Sequence, residues 1–495
     1  ILSNRVRHFI FGKDSMNKRK LLAENFIVYG IGTVLCNLIP FIMIPILVRI
    51  MPNSSYYMGI NDLINSLISL VSVFGLMGMY DALFRLFFDY KEDDFEHQKQ
   101  VCSTALTITL FFSSICMVGL FLFREWISEF FFESNKLTYL VVICAISVVL
   151  NNVKNIVMTP TRMLNQRKVY VIGSTILPLI SYLVALGMVL EGGYLIALPM
   201  GALISMIMGI IYFGIINRHY FSYQFLNLSM IKPLLAIGVP LFPTFVIFWV
   251  YSSCDKIMIV RMLGVNANGT YAVANKLATI SQLLTSAFAG GWSYYNFATI
   301  EDERRVLDFS KIIEYFFALG VLAFCICRLS GDFVMELLFT SQYKDTGSAF
   351  SYLFVAPIIY MIYQLMGSQF LLIKKTIYNS FIAASGVIFN IILNYVWIKQ
   401  IGVLGASVAT VTSYLIIMLI AAVALKKREM IVLRIRECLL VILLSLHQSL
   451  DLFMINESIV KVVSVISIII ILAFYAKEFK LEINNFMKMR KKKNE

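Results

Sequence analysis

Between Gly238 and Leu277 the chain reads GVPLFPTFVIFWVYSSCDKIMIVRMLGVNANGTYAVANKL, two apolar stretches carrying Asp255, Lys256, Arg261 and Lys276. A charge at the centre of hydrocarbon costs about 3 kcal/mol on insertion scales, so it persists where it is paired or faces a polar cavity. Asp255 lies shortly before the end of the first stretch and Lys276 shortly after the start of the second. At 1.5 Å per residue both sit roughly 10 Å below the same surface, placed to pair across the hairpin. Lys256, one residue on from Asp255, points about 100° away around the helix and needs another partner or a ligand.

Other residues carry weaker signals. Asp81 and Arg85 are spaced i,i+4 and read as a structural ion pair. His447 and Asp451 share a helix face, where a proton relay competes with ordinary interfacial polarity. Trp249, Tyr251, Trp292, Tyr294 and Tyr295 are candidates for stacking on sugar rings, against a plainer role in packing. Asn275, beside Lys276, is grouped with Asp62 and Asp255 as a cavity or ion-pair residue. The eight cysteines show no C-x-x-C spacing and mostly sit in apolar segments, so neither a zinc site nor a disulfide framework is indicated. No P-loop, G-x-S-x-G or H-E-x-x-H pattern occurs, which points to a carrier and not an enzyme, with no metal and no cofactor. Coupling to a Na+ or H+ gradient is left open.

The elements that must hold these residues are membrane helices. With 59% hydrophobic and 14% charged residues over 495 positions, and a mean hydropathy of +0.80, the chain is an all-α polytopic membrane protein. Stretches of about 20 apolar residues, the length that crosses a bilayer core, recur fourteen times. They fall at 22–50, 56–80, 101–123, 138–159, 170–190, 193–216, 232–262, 269–297, 310–330, 349–373, 378–398, 404–425, 437–455 and 458–476. With both termini cytoplasmic, 32 of the 42 Lys and Arg fall inside and 8 outside, and Lys256 and Lys276 remain within spans. That asymmetry sets the orientation and explains the net charge of +13 by topology and anionic lipid, without nucleic acid. Met16, opening MNKRKLLAENF, reads as the natural start, with residues 1–15 upstream of it.

A long-period repeat divides the chain. Val48-Arg49-Ile50-Met51 ends the first segment and Val260-Arg261-Met262-Leu263 the seventh, each followed by a polar turn and a glycine, Gly59 and Gly269. Both segments carry two prolines, Pro40 with Pro45 and Pro240 with Pro243, which predicts interrupted helices at matching positions. Six helices per copy gives two parallel lobes, 22–216 and 232–426, followed by two extra C-terminal helices over 437–476. Tails of 1–21 and 477–495 complete the chain, the second of them basic. Parallel-repeat transporters hold their substrate between the halves. In this register Arg49 takes the place of Arg261 and Asp62 roughly that of Lys276, so four bases, Arg49, Lys256, Arg261 and Lys276, stand against Asp62 and Asp255. A cationic lining suits an anionic substrate.

Three stretches carry a family resemblance. PLFPTFVIFWVYSSCDKIMIVRMLGVNANGTYAVANKL, ILVRIMPNSSYYMGINDLINSLISL, and FNIILNYVWIKQIGVLGASVATVTSYLI with Asn390, Asn394, Gly402, Gly405 and Ala406, resemble bacterial polysaccharide-repeat-unit flippases of the Wzx type. These belong to the multidrug/oligosaccharidyl-lipid/polysaccharide exporter superfamily, and the likeness runs from Leu21 to about Lys426. The resemblance implies two six-helix lobes that alternate between inward and outward openings in the bacterial inner membrane. It implies an undecaprenyl-diphosphate-linked oligosaccharide as substrate, moved to the outer leaflet for O-antigen, capsule or exopolysaccharide synthesis. Arg49, Lys256, Arg261 and Lys276 would hold the diphosphate, membrane lipid would surround the carrier, and a polymerase and glycosyltransferases would be its partners. The alternatives within the superfamily are a cation-coupled multidrug exporter, which needs an acidic cavity, and a lipid-linked peptidoglycan precursor flippase, whose arginine triad in the first two helices has no match here.

Overall fold

A computed structural model describes residues 36–87, 95–298, 304–373 and 375–494. Met16, Lys18, Arg19 and Lys20 lie outside the described residues, as do the side chains of Tyr294, Tyr295 and the MRKKKNE tail. Sixteen helices follow one another in what is described. They are α1 (Cys36–Ile50), α2 (Ser54–Leu76), α3 (Met79–Phe87), α4 (Phe95–Leu122), α5 (Arg124–Phe132), α6 (Thr138–Met163), α7 (Arg167–Leu190) and α8 (Tyr194–Ile216), then α9 (Ile231–Leu263), α10 (Val265–Ala298), α11 (Arg305–Leu338), α12 (Gly347–Leu372), α13 (Thr376–Ile401), α14 (Val403–Lys426), α15 (Ile435–Leu452) and α16 (Glu457–Asn494). Thirteen of the fourteen predicted apolar stretches coincide with one of these helices, and of the first, 22–50, residues 22–35 lie outside the described residues while Cys36–Ile50 is helical. Eleven helices among the described residues are long and apolar enough to cross a membrane. Large apolar side chains such as Phe111, Leu122, Ile215 and Phe381 are exposed on their outer faces, as a hydrocarbon solvent allows. The chain is a multi-pass membrane protein.

The predicted interruptions at the proline pairs do not occur. Pro240 and Pro243 lie inside one 33-residue helix, and Pro40 and Pro45 inside α1. A proline removes one backbone N–H and crowds the carbonyl four residues back, which bends a helix without ending it when the flanking turns stay paired. Glycines end α9 and α13. Gly264 and Gly402 adopt positive φ, 87° and 64°, and return their N–H groups to Val260 and Ile398, so α10 and α14 begin at once.

The described residues form two compact units, one reaching Val260 and including Gly264–Gly269, the other formed by Arg261–Leu263 and everything from Thr270 onward. In the first, α2, α4, α6 and α8 pack side by side, with α7 against α8. Buried amides join them: Asn152 donates to Ser113 Oγ at 2.9 Å, and Asn217 donates to the Val157 carbonyl and Thr161 Oγ1, each at 2.8 Å. Glycine permits the closest approach, since a Cβ on Gly75 would lie 2.4 Å from Asn152 Nδ2. In the second unit α12 is central, packed on α11 and α14, while α15 and α16 lie against α11. Gly405 lets α14 meet α13, where a Cβ would fall 2.1 Å from the Trp397 carbonyl oxygen.

Candidate functional site

The charged hairpin is resolved residue by residue. Lys256, on α9, places its ammonium 3.0 Å from Asp62 Oδ1 on α2, and the two side chains are 14% and 8% exposed. Asp255 Oδ1 accepts the backbone N–H of Lys256 at 2.9 Å, so the lysine stands between two carboxylates. The other Asp62 oxygen is buried and has no hydrogen-bond partner among the described residues. Asp62 is thus the partner that Lys256 requires. The arrangement can hold a charge inside the membrane, and it leaves one carboxylate oxygen with acceptor capacity unfilled.

The remaining predicted residues are spread over both units. Arg49 is exposed near the end of α1. Arg261 is exposed in the last turn of α9, in the short segment that belongs to the second unit. Lys276 is exposed on α10, and the carbonyl of half-buried Asn275 accepts the Thr279 hydroxyl at 3.2 Å. Asp81 and Arg85 occupy the first and last turns of the short α3, and burial pushes the Asp81 carboxyl above the ordinary carboxylate range. The two candidate indoles are engaged in internal bonds. Trp249 donates to the Ser66 carbonyl at 3.0 Å, and Trp292, 5% exposed, to Ser368 Oγ at 3.1 Å.

The repeat-related glycines meet within the first unit. A Cβ on Gly269 would lie 1.7 Å from the Ser55 carbonyl oxygen, and one on Gly59 2.3 Å from that of Val265. Asn268 Nδ2 donates to the Gly59 carbonyl at 3.2 Å, and Ser55 Oγ to Asn266 Oδ1 at 3.2 Å. The start of α2 and the start of α10 are therefore in backbone contact beside the Lys256 pair.

Two bases escaped the sequence reading because each was counted with a loop. Arg328, counted outside, is 3% exposed within α11. Its guanidinium bonds Asp451 Oδ1 at 2.8 Å and Ser348, while Tyr352 donates to Asp451 Oδ2 at 2.6 Å. Asp451 is therefore held by Arg328 and Tyr352, and His447 instead bonds the Leu443 carbonyl and Ser464, at 2.8 and 3.1 Å. Farther along α11, Glu314 receives Arg434 at 2.9 Å and Tyr475 at 3.1 Å, and Asp332 receives Lys461 at 3.1 Å. Three ionic ties thus hold α15 and α16 to one helix. The second residue, Lys154, counted inside, lies within α6. Its position in the run Asn151-Asn152-Val153-Lys154-Asn155, inside a predicted span, was the available signal.

The bundle of apolar helices with embedded charges defines a multi-pass membrane protein. A family model described as "Polysaccharide biosynthesis protein" matches residues 22–293, more than half the chain, and the protein belongs to that family. Among solved structures, the lipid II flippase MurJ in an inward closed conformation aligns over 92% of this chain and all of its own, with a TM-score of 0.67 and 18% identity. An inward-facing multidrug resistance MATE family transporter of the MOP superfamily covers 80% of this chain and 94% of its own (TM-score 0.60, 16% identity). A MOP superfamily transporter from Pyrococcus furiosus, described as having a binding pocket of reverse polarity, covers 82% and 95% (TM-score 0.53, 13% identity). At these identities the likeness is one of fold. No curated protein matches the sequence significantly.

Proposed function

We propose that this protein is a flippase that carries undecaprenyl-diphosphate-linked oligosaccharide units from the inner to the outer leaflet of a bacterial inner membrane, for surface polysaccharide synthesis. The membership of residues 22–293 in the polysaccharide biosynthesis family carries the reading. Translocation itself breaks no covalent bond, so the carrier acts without enzymatic chemistry. Its tasks are to bind the diphosphate, to shield the sugars from hydrocarbon and to change conformation. Arg49, Arg261 and Lys276 are exposed bases suited to the anionic group, with Lys256 beside Asp62 as a fourth. The lipid-linked oligosaccharide and membrane lipids are its immediate partners, and a polymerase and glycosyltransferases act before and after it.

The test uses the full chain in proteoliposomes loaded with a fluorescent undecaprenyl-diphosphate oligosaccharide, read by quenching from outside. Wild type should move the label across the bilayer, and Lys276→Glu should slow it at least ten-fold while inserting normally. Transport of organic cations with no movement of the lipid would overturn the reading in favour of a multidrug exporter. Dissipating an imposed Na+ or H+ gradient in the same vesicles identifies the coupling ion.

A further inference from the structure

Lys154 is the embedded charge that the hairpin does not explain. It sits in α6 about 14 Å along the axis from the helix end at Met163. Side chains on a helix lean toward its N-terminus, so the lysine stem leaves Met163 behind and heads for the middle of the helix. Snorkelling to the nearer surface is therefore not its solution. The stem is seated instead. A Cβ on Gly209 of α8 would lie 3.0 Å from Lys154 Cδ and 3.2 Å from Cγ, and 3.1 Å from Leu177 Cδ1 of α7. A side chain there would press on the lysine stem more tightly than ordinary van der Waals contact. Beyond it, the Lys154 ammonium shares its surroundings with the Cys36 thiol of α1, which also lies close to the Tyr182 hydroxyl of α7.

Unlike Lys256 or Arg328, Lys154 has no carboxylate within ion-pair distance and no hydrogen-bond acceptor among the described residues. An ammonium has three donors and no acceptor of its own. In hydrocarbon surroundings such a group calls for an anion.

We propose that Lys154, with its stem in the Gly209 groove, is a binding residue for a phosphate-bearing group that enters the first unit. The inference rests on the flippase reading for one point, that the phosphate arrives on a polyprenyl lipid. The site is distinct from the hairpin, since Lys154 stands on α6 against α7 and α8 and not on α9 or α10.

The experiment measures binding to the purified full chain in phosphatidylcholine nanodiscs, for wild type, Lys154→Met, Lys154→Arg and Gly209→Ala. Three probes separate the sources of phosphate: undecaprenyl diphosphate, inorganic diphosphate, and nanodiscs in which one third of the lipid is phosphatidylglycerol. Undecaprenyl diphosphate should bind wild type, weaken roughly ten- to hundred-fold in Lys154→Met as expected for a lost charge-assisted contact, and largely recover in Lys154→Arg. Gly209→Ala, which pushes on the stem and keeps the charge, should weaken binding several-fold. It also serves as the deciding variant if Lys154→Met fails to fold. Undecaprenyl diphosphate binding that is equal in wild type and in the folded variants would overturn the site and leave the flippase reading standing. Lys154-dependent binding of inorganic diphosphate or phosphatidylglycerol, with none of undecaprenyl diphosphate, would uphold the anion site and remove its link to the flippase reading.

Discussion

Lys256 and Lys154 show how one side-chain type takes two roles inside the same unit. Lys256 is matched to Asp62 at 3.0 Å, and removing either partner strands the other in a buried setting. Lys256→Met should therefore lower stability by about 3 kcal/mol, and Asp62→Asn with Lys256→Met should recover part of it, because Asp62 then no longer carries a charge while Asp255 keeps its own. Thermal unfolding of the detergent-purified variants reads both outcomes. A double variant as unstable as the single one would show that the pair does more than neutralise charge. The sequence singled out Lys256 correctly as a residue needing a partner. Asp62 could not be named for it, because the two are 194 residues apart. Lys154 was passed over since it lies near a predicted span boundary, and its seat on Gly209 becomes visible only when α6 and α8 are side by side.

The helices differ in how much their glycines matter. Gly59 and Gly269 admit backbone contact at the start of α2 and α10, whereas a Cβ on Gly119 or Gly187 meets nothing within 4 Å. Gly119→Ala and Gly187→Ala should be neutral or stabilising by about 0.5 kcal/mol, as the unfolded chain loses freedom. Gly269→Ala should be severely destabilising, read as loss of folded protein on size-exclusion after solubilisation. The two extra C-terminal helices are likewise bound into their unit, through Glu314, Arg328 and Asp332 of α11. Truncation after Arg434 would leave Asp332 without Lys461, Arg328 without Asp451, and Glu314 without Tyr475. The truncated chain should be degraded in cells, and recovery of a stable, monodisperse protein would contradict this role.

For the molecule as a carrier, the tests concern orientation and phenotype. The excess of Lys and Arg in alternate loops predicts that a fluorescent reporter after Glu495 lights up in the cytoplasm. An alkaline phosphatase fused at Lys136 should be active outside. Deleting the gene should abolish a surface polysaccharide, and a wild-type copy should restore it. An unchanged polysaccharide would exclude a required role in its export.

The existence of these helices was legible in the chain because hydrocarbon imposes a local requirement: about 20 apolar residues with every backbone group satisfied within the helix. Length and hydropathy meet that requirement one segment at a time, so 56–80 or 404–425 could be read without reference to any other part. The expected repeat rests on a local likeness as well, between Val48-Arg49-Ile50 and Val260-Arg261-Met262. Charge pairing is not local. Arg328 with Asp451, and Lys256 with Asp62, join residues 123 and 194 positions apart, and the sequence offers several bases for each acid. Which base takes which acid follows from depth and facing side, set by packed glycines and buried amides that only the folded bundle brings together. Lys154 stands out for the same reason, as an embedded base to which that packing brings no described acid.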